Sequence, residues 1–242
     1  MAKEKNNSIF ISLTGNILLV IGKGITGLLA NSHALIADAI HSMTDVSAFF
    51  INYRACKDCE LYDRIDRKRA SQKCNREIIE IEIRATYYTG VFFLTVGMAI
   101  CLYNFMLLVL DKVEKPGPVA VVVAFVALAV YAVLYKYSGN CDNKSVENCV
   151  LTSRNTHLQN KMNLVSGTVV VIGLSASMAG FYFMDELAAV VVGSIVVGIG
   201  AKWTMETREE LSPSIKRHFK YMIIGCILVS MVLAGICLLI RL

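Results

Sequence analysis

Polar residues are sparse along this chain and gathered into groups, and between the groups run apolar stretches of about 20 residues, the length that spans a bilayer. Seven such stretches can be read: Ile9–Ala30, Leu35–Tyr53, Ile83–Leu110, Val119–Tyr137, Leu164–Phe183, Leu187–Trp203 and Tyr221–Ile240. The pattern predicts an all-α, polytopic bundle of transmembrane helices. The first two run antiparallel across a short Asn31-Ser32 turn. The fifth and sixth are parted only by Met184-Asp185-Glu186, which predicts a tight hairpin there. No cleavable signal peptide is expected, because the first stretch has no small-residue cleavage site and leads directly into a second spanning one.

The second stretch breaks its own pattern. His41 and Asp45 stand one helical turn apart in the apolar run from Ala34 to Ile51, with Asp38 just before them. At ~100° per residue, Asp38, His41 and Asp45 fall at ~0°, ~300° and ~340°, a face about 60° wide that Ser42 and Asn52 extend. Ionisable groups at membrane depth are costly, and they face a bundle interior or a water-filled cavity where they pair or handle ions. An imidazole and a carboxylate at i and i+4 make half of a divalent-metal site. The plainer alternative is an internal hydrogen-bonded pair that fixes helix packing.

Depth along the first hairpin suggests a division of labour. At 1.5 Å per residue, Lys23 lies ~9 Å from the turn end of helix one and Asp38 ~8 Å below His33. An ion pair between them would explain why either charge is tolerated. Asn16 and Asp45 are level in the same way. On this reading Asp38 is a structural partner of Lys23, and His41 with Asp45 is left for an ion.

Composition agrees with the membrane reading. The chain is 55% hydrophobic with mean hydropathy +0.56 and only 18% charged residues, too apolar for an ordinary soluble domain. Its net charge of +5 reflects topology and needs no nucleic acid to explain it. Nineteen Lys and Arg fall at the N-terminus and in the loops after segments two, four and six, against Lys112, Lys115 and Arg241 on the other side. That bias predicts a cytoplasmic N-terminus and, with seven spans, an outside C-terminus in the cell membrane. Five of the eight cysteines (Cys56, Cys59, Cys74, Cys141 and Cys149) fall in predicted cytoplasmic loops, where thiols stay reduced. Cys56 and Cys59 form a lone CxxC, open to a metal or redox role or to none. No P-loop or nucleophile elbow is present to support ATP-driven transport or hydrolysis, so no enzyme is expected.

From Asn16 to Ala55 the chain resembles the cation diffusion facilitator family of metal/proton antiporters. The resemblance rests on Asn16, Lys23 and Gly27, then on the run Ser32-His33-Ala34-Leu35-Ile36-Ala37-Asp38-Ala39-Ile40-His41-Ser42-Met43-Thr44-Asp45. Glu82, Gly90 and Gly97 keep the family's third-helix spacing, and Asp185-Glu186-Leu187-Ala188-Ala189 is similar to the start of its sixth helix. Roughly 190 residues fit. The resemblance implies that His41 and Asp45 supply half of a mid-membrane tetrahedral site, with helix five supplying the rest. Two registers compete on that helix. Counting from Ser166, Gly173 and Asp185 gives Gln159 and Asn163, whereas aligning the local His-Leu run gives His157 and Lys161. Either one removes a carboxylate from the expected ligand set.

The resemblance departs again at the end of the chain. After the six-helix core of residues 1–204 come a charged linker, 205–220, and a seventh apolar helix, 221–242, so an atypical member without the family's soluble C-terminal domain is expected. Any homodimer would then use its helices, with Gly193, Gly198 and Gly200 or the Gly90/Gly97 pair as close-approach surfaces. The expected function is a secondary transporter that exports a divalent cation from the cytoplasm, zinc first among zinc, iron, manganese, cobalt and nickel, in exchange for protons. Its partners are then the metal ion, protons and membrane lipid, with no organic cofactor. A non-transporting metal-binding or partner-stabilising relative is the alternative. A membrane thiol oxidoreductase using Cys56 and Cys59 is disfavoured, because no cysteine lies in a predicted outer loop.

Overall fold

A computed structural model describes residues 2–44, 46–47, 50, 71–142, 150–208 and 213–241; the side chains of 2–13, 71–82, 85, 137–142, 150–160, 213–220, 222–223 and 240–241 lie outside the described set. Among the described residues all regular structure is helical: α1 Ala2–Leu29, α2 33–44, α3 Ser71–Val109, α4 Pro118–Asp142, α5 Val150–Met178, α6 Phe183–Arg208 and α7 Pro213–Arg241. Among the described residues four segments are long and apolar enough to cross a membrane: Thr86–Val109, Pro118–Lys136, Lys161–Met178 and Phe183–Arg208. Thr14–Leu29 and Ile224–Leu239 are shorter apolar stretches. This is the all-α helix bundle of a multi-pass membrane protein. Proline opens α4 and α7, where its missing N–H costs nothing and its fixed φ suits the first turn.

The chain divides into two compact units, one of residues 1–46 and 100–195, the other of 47–99 and 196–242. In the first, three helices end in the same way. Asn31 (φ 54°), Asp111 (φ 52°) and Gly180 (φ 108°) each take a left-handed conformation just past a helix. The next residue's N–H then reaches back to a carbonyl of the last turn: Ser32 to Gly27 at 2.9 Å, Lys112 to Leu107 at 3.0 Å and Phe181 to Ala176 at 3.2 Å. These are Schellman closures, which satisfy carbonyls that a helix end leaves without partners. They also correct the expected position of the α5–α6 hairpin. The turn is 179–182, and Asp185 and Glu186 lie in the first turn of α6, where acidic side chains favour the positive end of the helix dipole.

Asp185 also caps a different helix. Its carboxylate accepts hydrogen bonds from the Ser32 hydroxyl (2.9 Å) and from the backbone N–H groups of His33 (2.7 Å) and Ala34 (3.4 Å). The Ser32 hydroxyl oxygen in turn accepts from the Leu35 N–H at 3.2 Å, as an N-cap serine does. The start of α2 is therefore tied to the start of α6, so these two helices run parallel and α5 runs antiparallel to α2. Small residues let the helices close in: Ala34, Ala37, Ala120, Ala124, Ala188 and Ala189 share a core with Leu35, Val170, Val171, Leu174 and Val192.

In the second unit α3 and α6 meet backbone to backbone. A Cβ on Gly200 would sit 2.5 Å from the Leu94 nitrogen and 2.7 Å from the Gly90 oxygen. Trp203 packs edge-on against Phe93, with ring centroids 6.2 Å apart. The Ser230 hydroxyl of α7 donates to the Thr95 carbonyl at 2.8 Å. Gly90 and Gly200 thus make an intrachain contact, and Gly97 and Gly193 are buried. Of the glycines expected to offer a dimer surface, Gly198 has nothing within 4 Å of its Cβ position.

Candidate metal-ion site

The first unit buries a charge network along four helices. The Lys23 ammonium of α1 lies 2.9 Å from Asp38 Oδ2 of α2, and both side chains are almost wholly buried. It also donates to the Asp38 carbonyl at 3.2 Å, to Ser42 Oγ at 2.5 Å and to the Tyr131 hydroxyl of α4 at 2.5 Å. The second Asp38 oxygen accepts from the Ser166 hydroxyl of α5 at 2.6 Å. Ser42 and Tyr131 hydroxyls lie 2.6 Å apart, and Ser42 donates to the Asp38 carbonyl at 2.9 Å. A buried ammonium and carboxylate are tolerated only when their remaining hydrogen-bonding capacity is met as well. Here the three N–H groups of Lys23 are shared among the Asp38 carboxylate, the Asp38 carbonyl and two hydroxyls, and Ser166 serves the second Asp38 oxygen.

His41 follows Asp38 by just under one helical turn, and the network leaves it out. It is 1% exposed, and neither ring nitrogen has a hydrogen-bond partner of good geometry among the described residues, although the Met162 carbonyl of α5 faces the ring. A buried polar group left in this way carries a desolvation penalty, unless a ligand answers it. Half-buried Asn16 on α1 likewise has no partner for its Oδ1 among the described residues.

The Asp38–Ser166 contact fixes the register of α2 against antiparallel α5. Three residues down α2 from Asp38 is His41, and three residues back along α5 from Ser166 is Asn163, a displacement of ~4.5 Å on each helix. Asn163 is fully buried, and Lys161 is exposed. The helix therefore turns Asn163 inward and Lys161 outward. Asp45 lies outside the described residues, as do the side chains of Gln159 and His157.

Two members of the network were missed by sequence reading. Tyr131 is the first hydroxyl along α4, after an apolar run from Pro118 to Val130, and Ser166 served only as a spacing landmark. Each carried a signal, being a hydrogen-bonding group inside a run otherwise fit for lipid. What the sequence lacked was the pairing of α4 and α5 with α1 and α2.

The arrangement offers a buried imidazole and amide oxygen at one level, beside a charge pair that is internally satisfied. Borderline divalent cations accept such mixed nitrogen and oxygen donors. Comparison with known proteins agrees in kind. Residues 9–212 match the model of the cation efflux transmembrane domain. The magnetosome protein MamB of Magnetospira sp. is 26% identical over 184 residues, which cover 76% of this chain and 59% of that protein. An uncharacterized transporter of Methanocaldococcus jannaschii is 23% identical over 197 residues (81% and 66%), and metal tolerance protein C1 of Arabidopsis thaliana is 23% identical over 218 residues (82% and 44%). The chain spans about 60% of the length of the MamB proteins it matches. With the family's transmembrane domain matched over most of its length, the chain belongs to the cation efflux, or cation diffusion facilitator, family.

Proposed function

We propose that this chain carries a divalent metal cation out of the cytoplasm in exchange for protons, with zinc the first candidate. His41 of α2 and Asp45, with Gln159 and Asn163 of α5, hold the cation as substrate. The observation that carries this reading is His41, buried without a hydrogen-bond partner of good geometry among the described residues, at the level of buried Asn163. A neutral imidazole can accept either a metal or a proton, which is what exchange requires. Asp45 supplies charge, while Lys23 and Asp38 hold the hairpin in register. The relatives named as a transporter and a metal tolerance protein support the substrate class. On this reading residues 1–204 form the transporting core, 221–242 form an added helix, the N-terminus is cytoplasmic and the C-terminus outside, and the work done is transport without catalysis.

A second reading has its own support. Asn163 and Gln159 offer neutral oxygens where the family resemblance implies a His or a carboxylate, so the site carries less negative charge and binds transition metals more weakly. A metal-binding relative that stabilises a partner without transport would look the same. Sealed vesicles separate the two readings. Under an imposed pH gradient a transporter accumulates or releases Zn²⁺ many times over its own quantity, whereas a binder retains no more than its own sites hold.

A further inference from the structure

A second cluster lies where α2 and α6 begin, outside the central site. His33, Asp185 and Glu186 each present a ligand atom, and these atoms all lie within 4.8 Å of one another. Glu186 is 1% exposed, and its Oε2 has no hydrogen-bond partner among the described residues. No lysine or arginine pairs with either carboxylate among the described residues. Two carboxylates and one imidazole therefore share a nearly dry space, a costly arrangement unless positive charge compensates them.

The spacing suggests what compensates. His33 Nδ1 and Glu186 Oε1 are 3.4 Å apart. A charge-assisted hydrogen bond would draw them to about 2.7–2.9 Å. Two donors on one tetrahedral zinc, each bonded at ~2.0–2.1 Å, stand about 3.3 Å apart. Asp185 accepts three hydrogen bonds from the start of α2, and a carboxylate has about four lone-pair positions, so one remains for a cation. Tyr103 packs edge-on against the imidazole at 5.5 Å and limits its rotation.

The geometry points to a second divalent-cation site at this end of the first unit, made by His33, Asp185 and Glu186. Its ligand is zinc or a similar cation that accepts mixed nitrogen and oxygen donors. It lies eight residues along α2 from His41, a separation of ~12 Å, and so is distinct from the central site. Closing around an ion brings donors that lie within 4.8 Å of one another to about 3.3 Å, a movement of up to about 1.5 Å, and leaves a fourth position for water. The two carboxylates cancel the charge of the ion. Because the cap on α2 and the first turn of α6 share this ion, its binding also fastens those two helices together. The inference stands whether or not the chain transports.

The test counts Co²⁺ equivalents bound by the purified full chain, by His33→Gln, by Glu186→Gln and by His41→Asn. The His33 and Glu186 variants are each expected to lose one equivalent that His41→Asn retains. Undiminished binding in both of the first two, or loss of all binding in His41→Asn, overturns the site. Should a variant fail to fold, carbethoxylation of His33 in the unaltered chain, read by mass spectrometry, decides the matter: Zn²⁺ slows the modification if the site exists, and an equal rate with and without Zn²⁺ overturns it. A chain that does not move metal yet binds this equivalent retains the outer site and loses only the transport reading.

Discussion

Replacing Lys23 with methionine keeps most of the side-chain volume and removes the ammonium that faces Asp38. The structure shows where the cost falls. Ser42 and Tyr131 hydroxyls, both partners of Lys23, are 2.6 Å apart and still have each other. Asp38 keeps only the Ser166 hydroxyl on one oxygen, and the other oxygen, 2.9 Å from the ammonium, is left as an uncompensated buried charge. Breaking a pair so buried costs roughly 3–5 kcal/mol. Asp38→Asn should cost less, because the ammonium keeps a carbonyl and two hydroxyl acceptors. The double variant Lys23→Met/Asp38→Asn should be more stable than Lys23→Met alone, since no charge is then stranded. Unfolding of the full chain in mixed micelles with rising denaturing detergent measures all three against the unaltered protein. The reasoning is refuted if Lys23→Met lies within ~0.5 kcal/mol of wild type, the range of ordinary surface changes. It is equally refuted if the two single costs simply add.

Gly200→Ala should destabilise by about 1–3 kcal/mol, as overpacking does, because its Cβ would meet the Leu94 nitrogen at 2.5 Å and no flexible side chain there can yield; the same micelle titration reads it, and a neutral result would mean that α3 and α6 do not touch there. Asn163→Asp adds a carboxylate at the level of His41 and should tighten Zn²⁺ or Mn²⁺ binding in equilibrium dialysis, whereas unchanged affinity would place Asn163 outside the ion's reach. The proposed topology predicts that an impermeant thiol reagent labels Cys56 and Cys74 only after the cells are opened, and that a reporter fused after Leu242 is active outside; the reverse pattern would invert the orientation.

The fold class was open in the sequence because seven apolar runs of spanning length leave few alternatives to a helix bundle in lipid. Lys23 and Asp38 were also legible as a pair. A short hairpin makes depth a matter of counting residues, and two charges at one depth in hydrocarbon have little choice but to meet. The helix ends were harder to place. The apolar run through Phe181, Tyr182 and Phe183 reads as continuing helix, yet Gly180 in a left-handed conformation ends α5 earlier and turns those aromatics outward. Contacts between helices distant in sequence were not legible, since no depth count says which face of α4 or α5 meets α2. Tyr131 and Ser166 therefore entered only with the structure, as did the meeting of His33 with Glu186. The small residues were visible, but whether Gly90 and Gly200 faced another chain or each other depended on the packing of α3 against α6.

The central claim is that a cation crosses through His41 and Asp45, and zinc flux in proteoliposomes under a pH gradient tests it most directly. Wild type, His41→Ala and Asp45→Ala are reconstituted at equal density, and Zn²⁺ is followed by an entrapped indicator while internal pH is recorded. The account predicts zinc movement coupled to opposite proton movement in the wild type and loss of both in each variant. Unchanged flux in both variants would contradict it.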